Sequence, residues 1–203
     1  MKIIITENQF GKLKNSEEPK VLHIPSFGIF ENDWNRLQRY LDRKGNPLYS
    51  IGGDLDLENT QIQSLGNLTS VGGYLDLRNT PIQSLGNLTS VKGDIYLENE
   101  KIQSLGNLKS VGGNLYLEGT SIESLENLTS VKGDLYLYGS SIKSLGNLTS
   151  VGGSLNLQGS QIESLGNLTS VGGYLNLRKT PMSRKYTKQE IGQMTNIGGE
   201  IYL

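Results

Sequence analysis

The sequence predicts a mostly β fold, a right-handed parallel β-solenoid, and three observations support this prediction. A motif of 20 residues returns seven times without an insertion from residue 50 onward. Each copy contains the alternating segment x-Leu-x-Leu-x, which is typical of a half-buried strand. Because each copy is too short for a strand and a full return helix, the chain must return in an extended path or a single 3₁₀ turn. Such units fold only by stacking, since one coil alone buries too little apolar surface.

The framework positions of the repeat hardly vary. We count each coil from the residue after the Ile or Val that closes the preceding copy, and the consensus is x-Gly-x-Leu-x-Leu-x-x-Thr-x-Ile-x-Ser-Leu-x-Asn-Leu-x-Ser-Val. Coil 1 therefore starts at Gly52 and coil 7 at Gly172. Six apolar positions in each coil are expected to face the core. The glycine at position two predicts a corner where the backbone takes a positive φ or packs closely.

Residues 1–49 carry no repeat and are predicted to form an α-containing cap on the first coil. A short strand is expected at residues 2–5, and an extended, irregular path at residues 21–30. Asn32 is the predicted N-cap of the helix that follows. The apolar face of this helix consists of Trp34, Leu37, Tyr40 and Leu41. We expect that face to cover the open edge of coil 1, while a partner-binding helix is the alternative.

The array is predicted to span residues 50–182, and a second cap to span residues 183–203. Thr187 and Glu190 have the spacing of a capping box, which predicts a short helix running to Met194. The motif then returns once, six residues late, as a final strand after Ile197. This cap is expected to shield the last edge of the sheet.

The repeat resembles the leucine-rich repeat in a short, bacterial-type form, and its Gly-x-Leu-x-Leu opening resembles receptor L-domain repeats. The residues that carry the resemblance are those of the stretch 75–82, followed by Leu85, Leu88 and Val91. The resemblance implies a solenoid of leucine-rich-repeat type. The chain departs from the family where an asparagine column is usual, because hydroxyls stand there instead. These are Thr60, Thr80, Thr120, Ser140, Ser160 and Thr180, and Glu100 in coil 3 interrupts them, which predicts a local bulge or higher mobility.

The composition argues against several classes of function. A formal charge of −1 gives no basic excess for nucleic acid, and cysteine is absent. Without an apolar run of about 18 residues or a signal peptide, we expect a cytoplasmic protein that does not bind membranes. The sequence leaves the oligomeric state open, and a monomer is the working expectation. The opening strand followed by Thr6 and polar residues resembles the start of many tailed-phage proteins, which would imply the host cytoplasm or a virion.

No catalytic or metal site is predicted, and no cofactor. His23 is the single histidine and lies outside the array. Pairs such as Asp54 with Asp56, or Asp94 with Asp134, could approach a cation, but nothing fixes a ligand count. The Asn-Leu-Thr triplets are formal glycosylation sequons, although Asn and Ser that bond corner backbone groups explain them better. A threonine row from Thr69 to Thr169, interrupted by Lys109, leaves ice binding as a minor alternative.

The variable outer positions of the leucine-flanked strand point to a binding surface. Positions three, five and seven carry eight carboxylates and two arginines, a formal charge of −6 in a nearly neutral chain. Tyrosines follow one another at position five of coils 3, 4 and 5, and tyrosine clusters mark binding hot spots. The predicted partner-binding residues are Tyr74, Asp94, Tyr96, Glu98, Tyr116, Glu118, Asp134, Tyr136 and Tyr138. The alternative is that these tyrosines only stabilise the strand ladder.

These observations predict a non-enzymatic scaffold whose acidic, tyrosine-rich face binds a protein partner with a basic patch. The acidic charges would accelerate encounter and the tyrosines would hold the complex. The main alternative is a structural or spacer module, for example of a phage particle.

Overall fold

The computed structural model describes residues 20–98 and 101–203. These residues form a parallel β-solenoid with two parallel sheets, of nine and eight strands, wound around one continuous apolar core. The inward leucines, isoleucines and valines of coils 2 to 5 are all at most 2 % exposed. The predicted β-solenoid is therefore confirmed.

Sheet A is formed by the Ser-Val segments that close each coil. In spatial order its strands are β1 (Leu22–Ile24), β2 (Tyr49–Ile51), β4 (Leu68–Val71), β6 (Ser90–Val91), β8 (Ser110–Val111), β10 (Ser130–Val131), β12 (Ser150–Val151), β14 (Ser170–Val171) and β16 (Asn196–Ile197). The extended return path was expected, but its pairing into a sheet of its own was not. Serine and valine recur at the same two positions of coils 1 to 6, so the return segments bond to each other as regularly as the leucine segments do.

Sheet B is formed by the Leu-x-Leu segments. Its strands, from the first coil to the last, are β3 (Leu55–Asp56), β5 (Leu75–Asp76), β7 (Ile95–Tyr96), β9 (Leu115–Tyr116), β11 (Leu135–Tyr136), β13 (Leu155–Asn156), β15 (Leu175–Asn176) and β17 (Ile201–Tyr202). Each residue pairs with the same position of the next coil, and Leu175 pairs with Ile201 at the end of the array. Isolated bridges such as Ser84 to Ser104 mark a third, less regular side.

Within the described ranges, the regular coils number six, not seven. Coils 1 to 6 each close after one repeat length, whereas coil 7 returns to register only where Val171 pairs with Ile197. Two helices fill the extra length, α2 (Pro181–Lys185) and α3 (Lys188–Met194). The capping box of Thr187 and Glu190 is present as predicted. Helix α2 was not predicted; Thr180 caps it, and Pro181 at its first turn favours the helical φ.

The glycines at position two are explained by close packing, since their φ values lie outside the left-handed region. A Cβ added to Gly113 would lie 2.1 Å from Asp94 Oδ1 and 2.8 Å from the backbone of the preceding coil. Positive φ values occur instead at positions eight and fifteen, and Glu126 (φ 50°) replaces the usual glycine of position fifteen. Of the two interpretations of the position-two corner, close packing is therefore the right one.

The N-terminal cap covers coil 1 as expected. Helix α1 (Trp34–Arg43) buries Leu37 and Leu41 completely in the core. Its N-cap is Asp33, not Asn32, because the Asp33 carboxylate accepts bonds from the backbone N–H groups of residues 35 and 36. The segment expected to be irregular contains β1 and a 3₁₀ helix (Phe27–Phe30). The strand expected at residues 2–5 lies outside the described residues.

Five of the six hydroxyls of the column donate to a backbone carbonyl of their own coil. Thr80 Oγ1, for example, donates to the Leu77 carbonyl at 2.7 Å. Ser160 is fully buried, yet its hydroxyl has no partner among the described residues. The irregularity expected at Glu100 falls on residues 99–100, outside the described ranges. None of the helices in the described ranges has the length and apolar character that a transmembrane segment requires.

Candidate protein-binding face

The outer face of sheet B carries all nine residues predicted to bind a partner. In each strand the leucines at positions four and six point into the core, so positions three, five and seven point outward. Coils stack in register, and the same position of successive coils therefore forms a row. The three rows together make up the surface that we call the tyrosine face.

The tyrosines of position five form one stacked column, the tyrosine ladder of Tyr96, Tyr116 and Tyr136. Neighbouring ring centroids are 4.9 Å apart, and the ring planes are 8° and 5° from parallel. Tyr74 meets Tyr96 edge to face at 6.4 Å. The rings are half-buried against each other, so a partner meets their edges and hydroxyl groups.

Each tyrosine hydroxyl is held by the residue at position three of its own coil. Tyr96 and Tyr136 donate to Asp94 and Asp134 at 3.2 and 2.9 Å, and the Asn114 amide donates to the Tyr116 hydroxyl at 3.3 Å. The bond to Asp134, with burial as a second cause, raises the pKa of Tyr136 to about 12. Burial and the Asp94 carboxylate raise the pKa of Tyr96. Tyr96 and Tyr136 are therefore neutral at physiological pH, and the bonds to position three fix the orientation of all three rings.

The residues of position three also join successive coils. The Oδ1 atoms of Asp94, Asn114 and Asp134 accept bonds of 2.6, 2.7 and 2.6 Å from backbone N–H groups of the following coil. Asp54 makes the same bond to Tyr74 at 3.0 Å. The aspartates of this row thus stabilise the stack, in addition to any contact with a partner.

Position five separates the coils into two kinds. In coils 1, 2, 6 and 7 it is Asp or Asn, and the side chain accepts a bond from the backbone N–H of position seven. These bonds join Asp56 to residue 58, Asp76 to residue 78, Asn156 to residue 158 and Asn176 to residue 178, at 3.0–3.2 Å. In coils 3, 4 and 5 the tyrosine side chain bonds to position three instead, and a phenol ring cannot supply the turn-capping bond.

Two carboxylates of position seven lie beside the tyrosine ladder. Glu58 and Asp76 both pair with Arg78, but neither Glu98 nor Glu118 forms an ion pair with any described residue. Glu118 Oε2 has no hydrogen-bond partner among them. Burial, and secondarily the charge of Glu98, raises the pKa of the Glu118 carboxyl. Two carboxylates that form no ion pair with a described residue thus lie beside the ladder.

The sequence analysis counted Arg78 and Arg178 among the charges of this face but did not predict their contacts with tyrosine rings. Arg78 lies 5.1 Å from the centre of the Tyr96 ring, and Arg178 lies 4.5 Å from that of Tyr202. The signal was present, because Arg78 and Arg178 follow nearly identical stretches at position seven. Tyr138, which was predicted, is the most exposed aromatic residue of the face at 52 %.

The other candidate residues, His23 for catalysis and the aspartates for a cation, lie in the following surroundings. His23 lies 3.1 Å from Ser50 Oγ in a surface cavity whose described lining residues include no carboxylate. No group of three or more His, Cys, Asp or Glu residues in the described part of the chain is placed to hold a metal ion. The Asp94 and Asp134 carboxylates, considered for a cation, are engaged in the bonds given above.

The Asn and Thr rows of the return path have structural roles. The Asn127 and Asn147 amides donate to carbonyls of the preceding coil at 2.9 and 3.0 Å. The hydroxyls of Thr89 and Thr149 do the same at 2.8 and 2.9 Å. A threonine whose donor is already used presents a poorer hydrogen-bonding array to water or ice.

Comparison with known proteins found no matching family model, no similar curated protein and no similar solved structure. The chain is a repeat protein whose short coils form a parallel β-solenoid.

Proposed function

We propose that this protein is a non-enzymatic binding scaffold whose tyrosine face engages a protein partner with a basic patch. The observation that carries the proposal is the exchange at position five. Coils with Asp or Asn there gain a turn-capping bond, and coils 3 to 5 give it up for tyrosine. Since Asp or Asn at position five is sufficient for the fold of the other coils, we attribute the three tyrosines to binding of a partner.

Charge and rigidity support this function. Glu98 and Glu118 flank the ladder, no described residue forms an ion pair with them, and a basic patch would supply the missing cations. Stacking and hydrogen bonds fix the rings before binding, which reduces the conformational entropy lost on association. Large, stiff side chains with a polar tip are enriched among hot-spot residues.

We also propose that the solenoid is of leucine-rich-repeat type. Burial of Leu75, Leu77, Ile82, Leu85 and Leu88 at the positions of that pattern supports it. We further propose a cytoplasmic location, with a virion component as the variant that the phage-like start of the chain suggests.

The test is capture of a partner from a lysate of the native host, followed by mass spectrometry. Replacing Tyr96, Tyr116 and Tyr136 by Ala should abolish capture while circular dichroism stays unchanged. The matched control replaces Ser90, Ser110 and Ser130 of sheet A by Ala and should retain capture. Equal capture by the tyrosine variant and the wild type would reject the proposal.

A spacer module is the second candidate, and the uniform outer face of sheet A favours it. Serine recurs there from Ser50 to Ser170 with almost no variation, as lateral packing of identical units would require. Sedimentation velocity distinguishes the two functions. Self-association that persists in the tyrosine variant would favour the spacer, and a monomer would favour the binding scaffold.

A further inference from the structure

The tyrosine face contains the same small cluster twice. The first copy is the stretch from Tyr74 to Arg78 with Tyr96, and the second is the stretch from Tyr174 to Arg178 with Tyr202. In both, the first tyrosine meets the tyrosine of the next coil edge to face, at 6.4 and 5.9 Å. In both, the guanidinium lies over that second ring, at 5.1 and 4.5 Å from its centre.

In the first copy the guanidinium is neutralised by two carboxylates. Arg78 Nε lies 3.1 Å from both oxygens of Asp76, and its Nη2 lies 2.5 Å from Oδ2. Glu58 of the preceding coil adds a contact of 3.6 Å. This is the bidentate geometry in which a planar guanidinium binds a carboxylate most strongly.

In the second copy both carboxylates are replaced by amides. Asn176 stands where Asp76 does, and Gln158 stands where Glu58 does. The Asn176 amide donates to Gln158 Oε1 at 3.1 Å, and its own oxygen accepts from the backbone N–H of Arg178. The Asn176 side chain is thus bonded to Gln158 and to the Arg178 backbone, and Arg178 forms no ion pair with any described residue.

The Arg178 side chain is well placed for an external ligand. Residue 178 is exposed, whereas Asn176 beneath it is only 7 % exposed. One face of the guanidinium is directed at the Tyr202 ring, which leaves its donor edges available. Stacking on an aromatic ring also restricts the side chain before a ligand arrives.

We propose that Arg178, supported by Asn176, Gln158 and Tyr202, is a binding site for a carboxylate group that takes the place of the two acidic side chains surrounding Arg78. The chemical class of the ligand follows from the first copy, in which the protein supplies that group itself. The assignment of the carboxylate to an acidic side chain of a protein partner rests on the proposed function. A free small carboxylate has the same chemistry and is the other source.

The first test is a titration followed by NMR at constant ionic strength, with sodium chloride as the balancing salt. The probes are acetate and an acetylated, amidated Gly-Asp-Gly peptide, and the signals are Arg178 Nε–Hε and the Tyr202 ring. Saturable shifts with either probe support the site. Tighter binding of the peptide assigns it to a protein side chain, and equal binding assigns it to free carboxylates. Shifts that chloride reproduces would overturn the proposal.

The second test exchanges the two copies. Gln158→Glu with Asn176→Asp gives Arg178 the internal partners of Arg78, and it should weaken carboxylate binding at least about tenfold. Gln61→Glu with Asn107→Asp is the control with the same change of charge elsewhere, and it should bind as the wild type does. Unchanged binding by the first double variant would overturn the proposal.

The reverse exchange should create a site. Glu58→Gln with Asp76→Asn should give the Arg78 signals the carboxylate response of Arg178. If this variant does not fold, the Gln158 and Asn176 double variant decides alone. The titration also separates this inference from the proposed function, because the alanine variant of the tyrosine ladder should still bind the probe at Arg178.

Discussion

Coils 3 to 5 and the coils on either side of them share one framework, and among the outward positions it is position five that divides them into two groups. Both regions have fully buried leucines and the same strand register. The flanking coils place Asp or Asn at position five, where it caps a turn, and the central coils place tyrosine there. The difference separates what the fold requires from what the surface presents.

The comparison also shows how the central coils remain ordered without the turn cap. Their tyrosines are fixed by stacking on the neighbouring coil and by a bond to position three. The central coils thus lack a hydrogen bond within the coil and gain ring stacking between neighbouring coils. Stacked aromatic pairs contribute roughly 0.5–1.5 kcal/mol each, comparable with one turn-capping hydrogen bond.

The largest expected effect concerns the shared core. Leu115→Ala in coil 4 and Leu155→Ala in coil 6 should each lower the free energy of unfolding by about 2–5 kcal/mol, because both side chains are fully buried. Urea unfolding followed by circular dichroism measures the loss. A much smaller loss in coil 4 would show that the two regions do not share one framework.

The next largest effect distinguishes the charged turn cap, Asp76, from the neutral one, Asn176. Asp76→Ala should lower the free energy of unfolding by about 2–3 kcal/mol, since Arg78 then loses its bidentate partner. Asn176→Ala should cost only about 1 kcal/mol, because it removes neutral bonds. The same unfolding measurement compares them, and equal losses would contradict the assigned role of the Asp76 ion pair.

A residue exchange at position five tests the division between the two regions. Tyr116→Asn should lower the free energy of unfolding by only about 1–2 kcal/mol, because two stacked pairs of roughly 0.5–1.5 kcal/mol each are lost and one turn-capping bond is gained. It should nevertheless weaken partner capture. Asn156→Tyr is the reciprocal variant and should leave capture intact. A Tyr116→Asn variant that unfolds would show that the ladder exists for stability.

The smallest effect concerns the carboxylate beside the ladder. Folding raises the pKa of Glu118, so its contribution to stability is complete below the ordinary glutamate pKa and is lost as the pH rises through the raised value. Glu118→Gln should therefore stabilise the protein at pH 7, by about 0.5 kcal/mol or less because the group is partly solvated. Thermal unfolding at pH 7 and pH 4 measures this, and a gain that persists at pH 4 would contradict the assigned cause.

Much of the tyrosine face was predictable because strand alternation and a fixed period together determine which side chains share a row. The stacking of Tyr96, Tyr116 and Tyr136 follows from these two facts alone. The engagement of Asp94 and Asp134 with the next coil was not predictable, because it depends on side-chain rotamers. The same holds for the N-cap at Asp33, where two neighbouring polar residues were both suitable.

The sequence by itself determined the repeat length, the inward leucines, the outward tyrosines and the capping box of α3. These features are local or strictly periodic, so neighbouring residues carry the necessary information. Only the tertiary structure decided that the return segments form a second sheet and that amides surround Arg178 where carboxylates surround Arg78. Those features depend on contacts between coils, where the distance between two side chains is set by the stacking of the coils.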